Sequence, residues 1–286
     1  MNEQNAEYLK KVLDNLGFGK RLNDVMENAI RREMPKFTLG LNNTHTPPHM
    51  LSKQAPPLDH IRFELNFNRG RDSDVYFLNN YKVSLRRAGE PEARVQTFDL
   101  ERDHRITALQ AYKLLSGHAF EKEIFAKPKD AEFPENQEKV RTWFKLELGV
   151  TDAYVNHPLR TLKPEYGFNL AESLTKYPIK GLGEGEKLDE ALKALRNGNL
   201  VTVDLTLNKK QVPVLIGANP IMKNLDVFDK NMEAIRDWEI FPEKAAAMKE
   251  KNHPRVTPSA AETGQEHRPW EQEAGEERVA TVGRGS

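Results

Sequence analysis

Apolar and polar residues along this chain follow two periods, and the switches between them mark out the elements. Over residues 4–34 the helical spacing of Leu9, Val12, Leu13 and Leu16 is broken by "GFGK" and resumed by Leu22, Val25, Met26, Ala29 and Ile30, which predicts a helical hairpin. Residues 35–59 hold five prolines and sustain no period, so they read as a connector. The period then becomes two: Ile61, Phe63, Leu65 and Phe67 alternate with Arg62, Glu64 and Asn66. "RGRDSD" supplies a turn, and residues 75–78, Val83 with Leu85, and residues 94–100 continue the alternation. The expected product is a three- or four-stranded antiparallel β-meander with one face in water.

Two later stretches share one pattern. Ala108, Ala111, Tyr112 and Leu115 have helical spacing and run into Gly117; Leu188, Ala191, Leu192 and Leu195 repeat that spacing and run into Gly198. Each glycine is placed to take the left-handed conformation that closes a helix. Strands follow both. Val140, Thr142, Phe144, Leu146 and Leu148 alternate with Arg141, Trp143, Lys145 and Glu147, while Val201, Val203, Leu205 and Leu207 lead through "NKK" into residues 212–216. Two helix-Gly-β-hairpin units result. Between them Asn169, Glu172 and Pro178 mark the cap, first turn and stop of a short bridging helix. Pro213 has no N–H for a ladder, which places the last strand at a sheet edge.

From residue 243 the period dissolves into Ala, Glu, Pro, Gly and charge, with Trp270 as the one aromatic, and such a segment reads as a disordered tail. The class is therefore α+β, divided as residues 1–59 (helical hairpin and connector), 60–150 (meander and first unit), 151–242 (second unit) and 243–286 (tail).

Composition removes several function classes. Lys+Arg and Asp+Glu are both 43, and residues 60–150 alone carry 16 basic and 15 acidic side chains, so the phosphate-binding footprint of excess cations is missing at both scales. Zero cysteines excludes disulfides, thiolate zinc sites and a Cys nucleophile. The chain shows neither an apolar run near 18 residues nor a signal-like start, so no membrane partner is expected and the cytoplasm is the default location.

Catalytic constellations are not legible. His45 and His49 are separated by Pro47 and Pro48, which forbid the helix that would align them on a metal. His118, after a helix-closing glycine, is placed either to present a functional ring or to sit half-buried in a strand; His60, His104, His157, His253 and His267 read as surface or loop residues. No G-x-S-x-G is present, and "GLGEGEK" has neither phosphate-loop spacing nor its charge. Asp226 and Asp229 are spaced so that they could pair, but two acids near a strand end read first as solvated or capping carboxylates. No catalytic residue, metal ligand or cofactor is assigned. The one diffuse surface signal is in the meander, where Arg62, Arg69, Arg71, Lys82, Arg86 and Arg87 are interleaved with Phe63, Phe67, Tyr76, Phe77 and Tyr81, a combination used to grip phosphates and stack bases. The alternative for these residues is aromatics inward and arginines in water.

Taken in order, "EYLKKVLDNLGFGKRL", "DSDVYFLNNYKVSLRR", "TALQAYKLLSGHAFEKE", "YGFNLAESLTKYPIKGL", "LKALRNGNLVTVDL" and "GANPIMKNLDVFDKNM" resemble a family of uncharacterised Bacteroidetes proteins that carry a domain-of-unknown-function label and are often encoded in conjugative transposons and related mobile elements. The resemblance covers residues 5–236. It implies an intracellular accessory protein of a mobile element and brings no site residues with it. The expected function is that of a non-enzymatic adaptor with a protein partner, to which a tail motif around Trp270 contributes. The alternative is a nucleic-acid-binding module using the meander, and a third reading is an enzyme whose site is scattered in sequence. Local function is expected in the meander, in the loop at residues 126–139 or in the tail.

Overall fold

In the computed structural model the described residues are 2–47, 56–125, 139–183, 185–241 and 243. Helices α1 (Glu3–Asn15) and α2 (Asn23–Arg31) form the expected hairpin. Leu9, Val12, Leu13 and Leu16 are buried, and so is Phe18 from the glycine-flanked break, edge-on to Phe63 and Tyr81 at 5.3 Å each. An ion pair from Lys10 to Glu27 ties the helices together outside the core.

The connector reading of residues 35–59 is corrected for its first half. Strand β1 (Lys36–His45) lies there and pairs antiparallel with β2 (Asp59–Arg69) over its whole length. Its inward side begins with buried Phe37 and Leu39 and then passes to half-buried Leu41, Asn43 and His45, so the period-two signal fades after two apolar residues. β3 (Tyr76–Arg86) and β4 (Arg94–Asp99) complete a four-stranded sheet in the order β1-β2-β3-β4. One bulge shifts the β2–β3 register between Asn66 and Phe67. The inner face carries Phe63, Leu65, Phe67, Tyr81, Val83, Leu85 and Phe98 against α1, α2 and α3 (Ala108–Leu115).

After α3 come β5 (Phe120–Phe125), β6 (Lys139–Leu146) and β7 (Leu159–Leu162), a three-stranded antiparallel sheet. A 3₁₀ turn at Pro164–Tyr166 leads to α4 (Leu170–Thr175), β8 (Ile179–Lys180), α5 (Glu186–Arg196), β9 (Val201–Leu207), β10 (Lys210–Asn219), β11 (Asn224–Phe228) and α6 (Asp237–Ile240). The last sheet is antiparallel in the order β11-β10-β9-β8. Asn169 caps α4 by accepting from the Glu172 N–H at 3.2 Å, as its spacing predicts.

Two corrections concern faces and edges. Trp143 is not a solvent-facing partner of Phe144: β6 is buried on both sides, with Phe144 in the first core and Trp143 in the second, where it packs edge-on to Phe168. The middle sheet is a wall shared by two cores. Strand β10 is interior rather than an edge, since β9 and β11 flank it. Pro213 is tolerated there because β11 begins pairing only at Leu215, leaving a single strand beside Pro213.

Residues Met1–Ala245 make one compact unit. The tail reading, Trp270 included, lies outside the described residues except for Glu243, and so does the loop at 126–138.

Candidate functional site

The two helix-closing glycines meet. Gly117 (φ 90°) and Gly198 (φ 74°) each end their helix with a pair of backbone bonds: Gly117 N–H to the Leu114 carbonyl and His118 N–H to Lys113, Gly198 N–H to Leu195 and Asn199 N–H to Ala194. The Lys113 ammonium then donates to the Asn197 carbonyl at 2.5 Å, and His118 Nδ1 lies 3.2 Å from the Gly198 carbonyl. A carbonyl only accepts, so Nδ1 carries the proton. Burial, followed by the Arg87 charge and those of Lys145 and Lys113, pushes the His118 pKa down to about 4 against the Gly198 hydrogen bond that opposes it. His118 is thus a neutral, half-buried structural donor in the segment before β5, not a presented ring.

Beside it lies a polar group that sequence spacing does not assemble. Asp59, 1 % exposed, accepts from the Tyr112 hydroxyl and the Ala88 N–H, both at 2.8 Å, and the His45 ring meets Tyr112 edge-on at 4.4 Å. Burial, then the Asp59 hydrogen bond, raises the Tyr112 pKa, so its hydroxyl stays protonated and donates. Arg94 donates to the Leu115 carbonyl at 2.8 Å and pairs with Glu90 at 2.6 Å; Arg87 reaches the same carboxylate at 3.6 Å. Each contact ties the end of the first sheet to α3 or to the turn after β3. Asp59→Ala leaves a buried hydroxyl and a backbone N–H without their acceptor, so chemical denaturation should show a loss of about 2 to 3 kcal/mol, and Asp59→Asn, which keeps one acceptor oxygen, a smaller one.

The predicted arginine-aromatic surface is divided by the pleat. Tyr76 and Tyr81 are 2 % and 0 % exposed, and Tyr81 donates to the Ile106 carbonyl at 2.7 Å, so the reading of these two as base-stacking residues is corrected: their register places them inward. Arg69 donates to the Ser73 carbonyl at 2.9 Å and pairs with Glu33 at 3.5 Å; Arg71 is exposed in the β2–β3 turn. Arg87, half-buried, belongs to the Glu90 cluster rather than to the open face. Arg62, Lys82 and Arg86 remain, all exposed on the outer face of the first sheet. Register aligns this face in rows: Thr44–His60–Arg86, Asn42–Arg62–Ser84–Val95, Gly40–Glu64–Lys82–Thr97 and Thr38–Asn66–Asn80–Asp99. Hydrogen bonds from Thr38 to Asn66 and from Asn66 to Asn80 zip the last row. In the first three rows Glu64 is the one carboxylate among the described residues, paired with Arg62 at 2.8 Å. The acidic Asp72 and Asp74, neighbours in sequence, sit in the turn instead.

A cleft of about 610 Å³ opens where β4 meets the segments around residues 102–104 and 150–157. His104, Arg105 and Val155 near it have positive φ (56°, 51° and 64°), a costly conformation for a β-branched residue. Tyr154 stands 84 % exposed at its mouth. The polar groups here are engaged with one another: Asn156 accepts from Thr97 N–H, Gln96 accepts from His157 N–H, and Asp152 accepts from Tyr154 and Asn156 N–H, each at 2.8 Å. The Asn156 N–H, then that of Tyr154, holds the Asp152 carboxyl below its ordinary range. His157, expected at the surface, is buried with Nδ1 2.8 Å from the Val150 carbonyl. These contacts seal the free side of β4.

Among the described residues no group of three or more His, Asp or Glu is placed to hold a metal, and His49 lies outside them. Asp226 and Asp229 do not pair: Asp226 takes Lys145 and Asn219, each at 2.7 Å, while Asp229 accepts from the N–H groups of Asn231 and Glu233. Among the described residues no helix is long and apolar enough to cross a membrane. Comparison with protein-family models, with curated proteins and with solved structures gives no match to this chain.

Proposed function

We propose that this chain is a non-catalytic, cytoplasmic accessory protein that docks an acidic surface of a partner protein on the outer face of its first sheet. The observation that carries the reading is the row arrangement of that face, with Arg62, Lys82 and Arg86 in three adjacent rows against Glu64. Near-balanced charge in the sequence thereby becomes a local cationic surface, because the pleat sends every second residue to the same side. The mobile-element context implied by the sequence resemblance suits an adaptor of this kind. A nucleic-acid partner is the second reading, favoured by the same cations and weakened by the inward Tyr76 and Tyr81, which remove two stacking platforms.

The triple variant Arg62→Glu/Lys82→Glu/Arg86→Glu tests both. Exposed substitutions of this kind shift stability by roughly 0.5 kcal/mol or less each, so the variant should stay folded. Affinity purification from the source cells should lose the partners that the parent chain retains; an unchanged set sinks the protein-docking reading. Fluorescence polarisation with single-stranded DNA at low salt decides the second reading, which requires binding that weakens steeply as salt rises.

A further inference from the structure

The sheet edges of this molecule are not treated alike. On β4, Thr97 N–H is taken by the Asn156 side chain and Asp99 N–H by that of Asp103. β11 is covered by the returning chain, with Ile235 N–H on the Val227 carbonyl and a bridge between Phe228 and Ala234. On β5, Glu121 pairs with Arg196 of α5, and β7 and β8 are only four and two residues long. Covering, shortening or charging edges is how proteins keep them from pairing.

β1 is long and its outward backbone is uncovered by the described residues; the Arg21 guanidinium reaches it only at the Asn43 side chain, 2.9 Å away, on a residue whose backbone faces β2. The strand runs for ten residues, is flanked by β2 alone, and no backbone hydrogen bond from any other described segment reaches it. Arg69 N–H donates to the Pro35 carbonyl, one step beyond the Lys36–Asn68 pair. Because donors and acceptors alternate sides along a strand, Phe37, Leu39, Leu41, Asn43 and His45 turn theirs to β2. Lys36, Thr38, Gly40, Asn42 and Thr44 turn theirs to the open edge. Proline occurs nowhere in the strand, its titratable side chains are confined to Lys36 and His45 at its two ends, and Gly40 has open space where a side chain would stand.

We infer that β1 pairs antiparallel with β1 of a second copy of this chain, about a two-fold axis at Gly40. Two registers, about Gly40 or about Leu41, pair nine residues while keeping inward residues opposite inward ones, and the one about Gly40 engages all five outward-turned residues, against four for the other. The Gly40 register sets Thr38 opposite Asn42 and Lys36 opposite Thr44, so no like charges face each other, and it covers half-buried Leu41 with Leu39 of the second copy. The bare axis at Gly40 lets the two backbones close to ladder distance. Such a contact is isologous and self-limiting, and it fuses two four-stranded sheets into one, making their cationic outer faces continuous. It goes beyond the docking reading and does not depend on it, since the strand carries none of Arg62, Lys82 or Arg86.

Sedimentation equilibrium of the full chain should give twice the 32.7 kDa chain mass. Thr38→Lys/Asn42→Lys places like charges opposite each other at both symmetry-related pairs and should raise the dimer dissociation constant by about tenfold or more. Thr38→Lys/Asn42→Glu makes the same pairs complementary and should restore the dimer, an outcome that only this register produces. Gly40→Pro should yield a folded monomer with a near-parental thermal midpoint, because the Gly40 N–H lies outside the β1–β2 ladder. A parent chain that stays monomeric at the highest attainable concentration, or a dimer indifferent to both lysine and proline variants, overturns the inference.

Discussion

Gly198→Ala destabilises the protein by about 2 to 5 kcal/mol, while Gly117→Ala costs only about 1 to 2. Both glycines hold a left-handed backbone at the end of a helix, and that conformation alone accounts for the smaller figure. The difference is in the surroundings. A methyl group on Gly198 would stand 2.8 Å from the Ala119 carbonyl oxygen and 3.1 Å from Phe120 Cβ, and backbone cannot swing aside as a flexible side chain can. On Gly117 the nearest atom is Leu148 Cδ1 at 3.6 Å, an ordinary contact. Urea unfolding of the two single variants and the double variant measures this directly. Equal losses at the two positions would mean that the second unit does not seat against the first through Gly198. The expected loss for Gly198→Ala exceeds what helix closure explains because the residue serves two needs, a left-handed turn and the close approach of β5.

Acidification attacks the same junction. The unfolded His118 side chain titrates near 6.5 and the folded one near 4, so between those values the unfolded chain binds a proton that the native junction refuses. Stability that is fully present above pH 6.5 is lost as the pH falls toward 4, by about 3 kcal/mol. The cause is mainly burial, reinforced by Arg87, Lys145 and Lys113, none of which tolerates a further positive charge beside it. His118→Gln keeps an N–H donor for the Gly198 carbonyl and does not titrate. Its unfolding free energy should therefore fall about 3 kcal/mol less than that of the parent between pH 7 and pH 4, with the carboxylates and the other histidines contributing equally to both proteins. Parallel pH profiles for the two would show that the imidazole is solvated and that the junction is looser than its geometry.

Local chemistry made much of the architecture legible. Leu9, Val12 and Leu13 on α1, Asn169 at the start of α4, and Gly117 and Gly198 at helix ends act through one or two turns of chain, and their spacing states their role. β1 was not legible because its inward positions pass from phenylalanine and leucine to asparagine and histidine, which erases the alternation that announces a strand. The burial of Trp143 is not legible in the sequence either, because a period-two pattern tells which residues share a face but not that both faces of β6 are covered.

The candidate surfaces divide in the same way. Arg62, Lys82 and Arg86 were visible as cations among aromatics, yet only the register of three strands places them together and sends Tyr76 and Tyr81 inward. The Asp59–Tyr112–His45 group joins residues far apart in the chain, and no spacing rule reaches across that distance.

The sequence by itself determined the α+β class, the positions of most helices and strands, and the two glycine closures, because periodicity, capping and left-handed turns are properties of short segments. Tertiary structure alone decided that the two glycine-closed units meet, which side of β6 faces which core, how the charges sort into rows, and that no other described segment pairs with the outer edge of β1. Those outcomes depend on pairing between strands and on which surfaces end up covered, and both are settled only when distant parts of the chain compete for the same apolar area and the same hydrogen-bond partners.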